Sequence, residues 1–254
     1  VSTAFTTESG SLRVERLRLL IQPAAVLVLV VGVLAWVFSL DLDDIEQRSI
    51  NARTIALLTW EHVQITFVVT AIVVVVAVPL GVVLTRRWAK PAAPAVLAVA
   101  NIGQAAPSVG LLVLFFLFTK QTGFWTAVLP TAFYALLPVL RNTMVGLGQV
   151  DRSLVEAGRG IGMSASSVLR RIELPLAVPY ILAGLRTALV LAVGVATLAV
   201  LVNGGGLGVL IDTGYKLRRT PVLVVGAVLS VALALLVDWL GAMAEQLLGP
   251  RGLR

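Results

Sequence analysis

Long apolar runs separated by short polar stretches dominate the chain, at about 23–40, 63–85, 126–144, 178–202 and 222–247. The first two contain no charged residue, and each run approaches or exceeds the roughly 20 residues a helix needs to cross a bilayer. The runs do not alternate apolar and polar positions, so the pattern predicts membrane-spanning helices and excludes a transmembrane barrel. A further apolar segment, 92–118, is interrupted by "NIGQAAPS" (101–108). It is too short for two crossings. It is expected to cross once, with Pro107 marking a kink whose freed carbonyl finds a partner inside the protein. The expectation is therefore an all-α membrane protein of six transmembrane helices.

Charge sets the orientation. With six crossings and the amino terminus inside, the inner segments hold Arg13, Arg16, Arg18, Arg86, Arg87, Lys90, Arg141, Arg152, Arg159, Arg170, Arg171, Arg186, Arg251 and Arg254. The outer segments hold Arg48, Arg53, Lys120, Lys216, Arg218 and Arg219. Fourteen against six follows the rule that basic residues gather on the cytoplasmic side. Both termini and the 145–177 loop are then cytoplasmic. No convincing cleavage site follows the first run before "DLDD" at 41–44, so it reads as a retained helix. The loops at about 41–61 and 203–221 are too short for a fused soluble domain.

Composition fits this frame. Residues are 58% hydrophobic and 13% charged, about half the charge of a soluble domain. The net charge of +7 is explained by loops that face anionic lipid and does not call for nucleic acid. The absence of cysteine excludes disulfides and thiolate chemistry. His62, the single histidine, lies beside Glu61 and has no second ligand for a zinc site; it is expected at headgroup level. No serine has a basic partner in view for nucleophilic catalysis, and no catalytic residue is assigned. Asp238 lies deep in the last run. It reads as a partner to a polar group across a dimer, as a residue near the inner end of its helix, or as an ion-coupling carboxylate.

The polar stretch "DRSLVEAGRGIGMSASSVLRRIELP" (151–175) stands apart from its apolar flanks. Asp151 can cap a helix with Leu154, Val155 and Ala157 on one apolar edge, and Arg152, Glu156 and Arg159 share a face. Gly160 and Gly162 end that helix, Ser164 caps a second, and Leu174-Pro175 is expected to stop the second before the next crossing. On periodicity alone this is a polar hairpin lying at the membrane surface.

The stretch also resembles the cytoplasmic-loop signature of bacterial ABC-importer permeases: Glu-Ala-Ala, three residues, Gly, nine residues, then Ile-x-Leu-Pro. Glu156, Ala157, Gly162, Ile172, Leu174 and Pro175 fall at the matching positions without a gap. The departure is Gly158, where the family usually has Ala. The resemblance implies a five-helix type I importer core, 61–248, with one added amino-terminal helix in residues 1–60 and a short tail at 249–254. It implies that the hairpin, 147–177, is the coupling helix for a separate ATPase, with Arg159 offering a charged contact beside Glu156. Two ATPase subunits carrying ATP and Mg²⁺, a second identical or homologous permease and an extracytoplasmic solute-binding protein would complete the assembly in the bacterial cytoplasmic membrane. The chain has no G-x-x-x-x-G-K-[ST] loop of its own and is expected to bind no cofactor.

"NIGQAAPSVGLL" (101–112), "LLPVLRNTMVGL" (136–147), "ELPLAVPYILAGLRTA" (173–188) and "ATLAVLVNGGGLGVLI" (196–211) look like the osmoprotectant branch, which imports glycine betaine, carnitine and choline. Another small solute such as an amino acid, an ion-coupled transporter and a non-transporting scaffold are the alternatives. Asn101 and Gln104, three apart beside Pro107, either line the path or hydrogen-bond the kinked backbone or a neighbouring helix. Tyr134 and Asn142 are further candidates for the path. Arg218 and Arg219 read as solvated loop charge or as contacts for the binding protein. "NGGGLG" (203–208) reads first as a tight turn lying close to the next helix, and second as a gate.

Overall fold

The computed structural model describes residues 5–248, with side chains from Leu20 onward. The side chains of Arg13, Arg16 and Arg18, together with Arg251, Arg254 and the 249–254 tail, lie outside the described residues. Among the described residues every regular element is helical. Helices α1 (Phe5–Phe38), α2 (Asp44–Ser49) and α3 (Ala52–Leu84) come first. Next are α4 (Ala93–Ala105), α5 (Ser108–Thr119) and α6 (Phe124–Gly148). The polar stretch contributes α7 (Arg152–Gly160) and α8 (Ala165–Val168), and the chain closes with α9 (Leu174–Ala196), α10 (Gly208–Lys216) and α11 (Thr220–Leu248). The second crossing thus begins at Ala52, well before the apolar run and inside the segment read as an outer loop. Asn51 caps it by accepting from the Thr54 amide at 2.8 Å.

Five helices are long and apolar enough to cross a bilayer, and α4–α5 adds a sixth crossing when its two halves count as one span. That pair is bent by 103°, far sharper than the kink expected at Pro107. Ala106 is extended (φ −64°, ψ 142°) and Pro107 begins the second half, because the residue before a proline is driven out of the helical region. One sharp bend still carries the chain from the end of α3 to the start of α6. There the Gly123 amide donates to the Val202 carbonyl at 2.6 Å, so the start of α6 meets the end of α9. Exposed Trp36, Trp60 and Trp125 lie at this far end of the bundle and Trp88 at the hairpin end, as amphipathic rings settle at the two membrane interfaces.

The main core is packed between α3, α6 and α9 around Ile65, Val69, Val128, Leu140 and Ala192. Helices α6 and α9 approach closely through small residues: a Cβ on Gly184 would lie 2.7 Å from the Pro138 carbonyl oxygen. In lipid, where burial between helices gains little, such close van der Waals packing is what holds spans together. A second cluster at the far end joins Val37 of α1, Ile50 at the end of α2, Leu207 and Leu210 at the start of α10, and Val225 of α11.

Two charged residues depart from their expected places. Arg186, counted among the inner charges, lies midway along α9, and its Nε and Nη2 donate to the Asp238 carboxylate at 2.6 and 2.7 Å. Gln22 of α1 adds a bond to Asp238 at 3.3 Å, and Glu245 lies 3.7 Å from Arg186. Asp238 is therefore neither unpaired nor waiting for a partner across a dimer; its partners are in its own chain. An unpaired charge in a span costs about 2.5–3.5 kcal/mol, and loss of Asp238 would leave Arg186 only the longer Glu245 contact at 3.7 Å. Asp238→Leu is thus expected to lower the thermal midpoint of the purified protein, followed by fluorescence-detected gel filtration. Arg186→Leu/Asp238→Leu should recover much of the loss, whereas equal destabilisation by both would show that the pair does not act as a unit.

Candidate functional site

The hairpin is built as its sequence prescribes. Asp151 accepts from the Ser153 amide at 2.9 Å, and that bond, with one from the Ser153 side chain, holds its carboxyl below the usual carboxylate range. Helix α7 ends in a Schellman turn: the Met163 amide donates to Gly158 O at 3.0 Å and the Gly162 amide to Arg159 O at 2.9 Å. Gly162 has φ 88° with open space around it, so glycine is required there by the backbone and not by crowding. Ser164 accepts from the Ser167 amide at 3.3 Å and starts α8.

Beyond α8 the outcome differs from the expected stop. Helical structure runs unbroken from Ala165 into α9, through a π-helical segment at Leu169–Glu173. The Leu174 amide reaches back five residues to Leu169 O. Pro175 lacks an amide and its ring crowds the carbonyl four residues before it; the wider π turn immediately ahead of it keeps the helix continuous. The hairpin is thereby joined stiffly to the α9 crossing.

The motif residues sort into two groups. Gly158 is buried, and a Cβ on it would lie 2.8 Å from Ile172 Cδ1. Gly158 and half-buried Ile172 therefore clasp the two arms of the hairpin, with the end of the Ile172 side chain filling the space that a Cβ at 158 would take; Leu174 is half-buried too. Glu156, Ala157 and Arg159 are exposed and Pro175 is exposed at the foot of α9. Neither Glu156 nor Arg159 makes an ion pair or side-chain hydrogen bond among the described residues. Leu154 and Ile161 are exposed as well, at 47% and 82%, on the other side of α7 from Glu156 and Arg159. Leu154 and Ala157 thus face outward, while Val155 is the half-buried one. Ile161 was missed in the sequence; its spacing of seven from Leu154, two helical turns, is the signal that places both on one face.

Two anchors hold this assembly from α3 and the turn just after it, and neither was anticipated. At the hairpin end, Arg86 forms a fork with Glu173, Nη2 to Oε2 at 2.7 Å and Nη1 to Oε1 at 3.3 Å, while its Nε donates to Val82 O at 3.2 Å. At the far end, Glu61 accepts from the Gly206 amide at 2.9 Å. His62 accepts from the Leu207 amide on Nδ1 at 3.2 Å, and its Nε2 lies 3.0 Å from Val193 O, so the donor proton belongs on Nε2. His62 is fully buried. It is a buried tie between α3, α9 and the 203–208 turn, with both ring nitrogens taken by backbone.

The polar pair lies on α4. Asn101 is exposed and Gln104 half-buried, and neither side chain bonds to any described group of the chain. The alternative in which they satisfy the bent backbone is therefore not what is observed. Gly103, between them, rests against Phe133 of α6; a Cβ there would lie 2.6 Å from the ring. Phe133, Leu136 and Leu80 line an almost wholly apolar hollow of about 340 Å³ with Ala95, Val99 and Ala100 of α4. Pro107 is exposed at the bend. Tyr134 is half-buried against the main core. Asn142 does not join Asn101 and Gln104: its Nδ2 donates to Pro138 O at 2.8 Å, and it faces Gly184 of α9.

At the far end, Arg219 is not solvated loop charge but pairs with Asp43 at 2.8 Å, and Lys216 pairs with Asp212 at 2.8 Å. Arg218 stays exposed with φ 54°, beside Tyr215, which is 75% exposed.

The family described as "Binding-protein-dependent transport system inner membrane component" matches residues 77–249. The choline transport system permease protein OpuBB of Bacillus subtilis is 42% identical over 77% of this chain and 89% of its own length. The osmoprotectant import permease protein OsmW of Salmonella typhimurium is 36% identical over 84% of this chain and all of its own. Among solved structures, an inward-facing conformation of the MetNI methionine ABC transporter superposes with a TM-score of 0.68 at 26% identity, covering 77% of this chain and 96% of the other.

Proposed function

This chain belongs to the family of binding-protein-dependent transport system inner membrane components, the permeases of ABC importers, and we propose that the solutes it passes are quaternary amines of the glycine betaine, choline and carnitine kind. What carries this reading is that relatives aligned along three-quarters or more of the chain are named for choline and osmoprotectant import. The geometry suits such a solute. A permanent cation cannot shed its charge, so it crosses best past neutral amides and aromatic faces. From residue 91 to 119 there is no charged side chain, while unpartnered Asn101 and Gln104 flank the Gly103–Phe133 contact. An amino-acid solute is the second reading, favoured by the likeness to the methionine transporter.

In this reading the exposed surface of Leu154, Glu156, Ala157, Arg159 and Ile161 docks on a cytoplasmic ATPase. Two such ATPases bind ATP and Mg²⁺, and this chain hydrolyses nothing itself. The hairpin end and both termini are cytoplasmic. A second permease, identical or homologous, completes the path, and a solute-binding protein delivers from the far side, where Arg218 and Tyr215 project.

The test is uptake into proteoliposomes holding this chain, its ATPase and its binding protein. ATP-dependent entry of labelled choline or glycine betaine, with methionine excluded, is the expected result. Methionine entry without quaternary amines would overturn the solute class, and uptake indifferent to ATP would overturn the coupling. Within that assay Asn101→Leu removes a polar group from the path and leaves the bundle intact, since Asn101 makes no side-chain bond among the described residues. Uptake should fall about tenfold, the equivalent of one lost hydrogen bond to solute; unchanged uptake would take Asn101 off the path.

A further inference from the structure

We propose that α3 and α9 form a single clamped pair that carries movement of the hairpin to the 203–208 turn at the opposite face, with Arg86 and Glu173 as the positioning pair at its driven end. The proposal rests on the permease reading and adds the route by which the docking surface reaches the far end. The two helices run antiparallel and are tied at both ends. The ion pair Arg86–Glu173 closes one end at 2.7 Å. His62 to Val193 O at 3.0 Å, with the Glu61 and His62 bonds to Gly206 and Leu207, closes the other.

Three features make this pair a strut and not an ordinary packed interface. Arg86 is fixed on its own side by the Nε bond to Val82 O, so the fork cannot swivel freely about the end of α3. Glu173 sits at the last position of the π segment, with its side chain only 12% exposed, directly between the hairpin and α9. Helical structure is continuous from Ala165 into α9, and the contact of Gly158 with Ile172 ties α7 to it across the turn. At the far end the ties grip backbone amides of the turn itself, so a shift of α3 is a shift of that turn. Rigid-body motion of clamped elements is how small displacements at one site become rearrangements at another. By contrast α4 and α5, broken at Ala106-Pro107, share no such tie with α3 or α9 among the described residues. They are the part past which the clamped pair can move.

The cysteine-free sequence makes the test direct. Asn203, exposed on the turn, is replaced by Cys in a chain first checked for parental uptake, and a membrane-impermeant maleimide is applied from the far side. With ATPase and binding protein present, the labelling rate is expected to change when ATP is added. In Arg86→Glu and in Glu173→Arg the change should vanish and uptake should drop about tenfold, while ATPase association and basal hydrolysis persist. The swap Arg86→Glu/Glu173→Arg should restore both the labelling response and most of the uptake, because it rebuilds the pair.

A labelling response that persists in the single variants would overturn the strut. So would a swap that assembles and hydrolyses ATP yet regains neither readout. Loss of ATPase association in the single variants would also overturn it, assigning the pair to shaping the docking surface. Failure of the parental chain to take up solute with ATP would instead count against the permease reading.

Discussion

Glu156→Arg is expected to abolish ATP-driven uptake and co-purification with the ATPase while leaving the protein folded and inserted. Glu156 is exposed and unpartnered among the described residues, so its replacement removes no bond seen there. It shares its helix face with exposed Arg152 and Arg159, while Leu154, Ala157 and Ile161 form an exposed apolar edge on the other side of α7. Reversing the acid puts three positive charges, with Arg152 and Arg159, on one helix face and confronts whatever basic group the partner presents. Like charges brought together at an interface cost several kcal/mol, and each 1.4 kcal/mol is tenfold in affinity. Association should therefore weaken by about a hundredfold or more, beyond recovery in a pull-down. Glu156→Gln keeps shape and hydrogen bonding and should bind more weakly without being lost. Normal uptake by Glu156→Arg would mean that the exposed face of α7 is not the coupling contact.

How much of this was legible depended on how local the physics is. The caps of α7 and α8, the glycine at 162 and the spacing from Glu156 to Pro175 are settled within a few residues, and the hairpin formed as read. The arrest at Pro175 was misread because a proline's local effect is to break a helix. Here a π turn absorbs it, and sequence pattern carries no sign of that choice. The bend at Ala106-Pro107 was placed correctly, but its size, 103°, is decided by packing on α6.

The ties were invisible for a different reason. Arg86 and Glu173 are 87 residues apart, His62 and Val193 131 apart. Arg186 and Asp238 fell in separate runs, so each read as a lone charge with no sign of its partner. Charges in a membrane protein gain most from pairing where water is absent. Counting them by side, as the orientation rule does, treats Arg186 as loop charge when it is a helix-to-helix contact.

Gly208→Val is expected to be the most damaging single change at the far end of the bundle, costing folded protein and not merely rate. A Cβ at 208 would overlap the Thr197 carbonyl group, and that backbone belongs to the 3₁₀ turn that ends the α9 crossing. An ordinary overpacked core loses about 1–3 kcal/mol because side chains can shift. Here the obstacle is main chain, held in place by Gly204 N to Ala199 O at 2.8 Å and by the Gly123–Val202 bond at 2.6 Å. Relief requires α10 to move off the turn, which drags Leu207 from the core cluster at 0% exposure and pulls its amide from His62. The loss is then an apolar anchor, a buried hydrogen bond and the far-end clamp together, well above the single-site range, on the order of 4 kcal/mol or more. Membrane-inserted yield and thermal midpoint should both collapse. Gly205→Ala is the informative companion: its backbone is left-handed at φ 82° and the atoms nearest its Cβ belong to the Glu61 side chain, a flexible group that can step aside. That variant should fold, at a cost of about 1–2 kcal/mol for the left-handed backbone, with the Glu61–Gly206 bond disturbed. A folded Gly205→Ala protein with impaired uptake, beside a Gly208→Val protein that never accumulates, would separate what the turn does for transport from what it does for the fold.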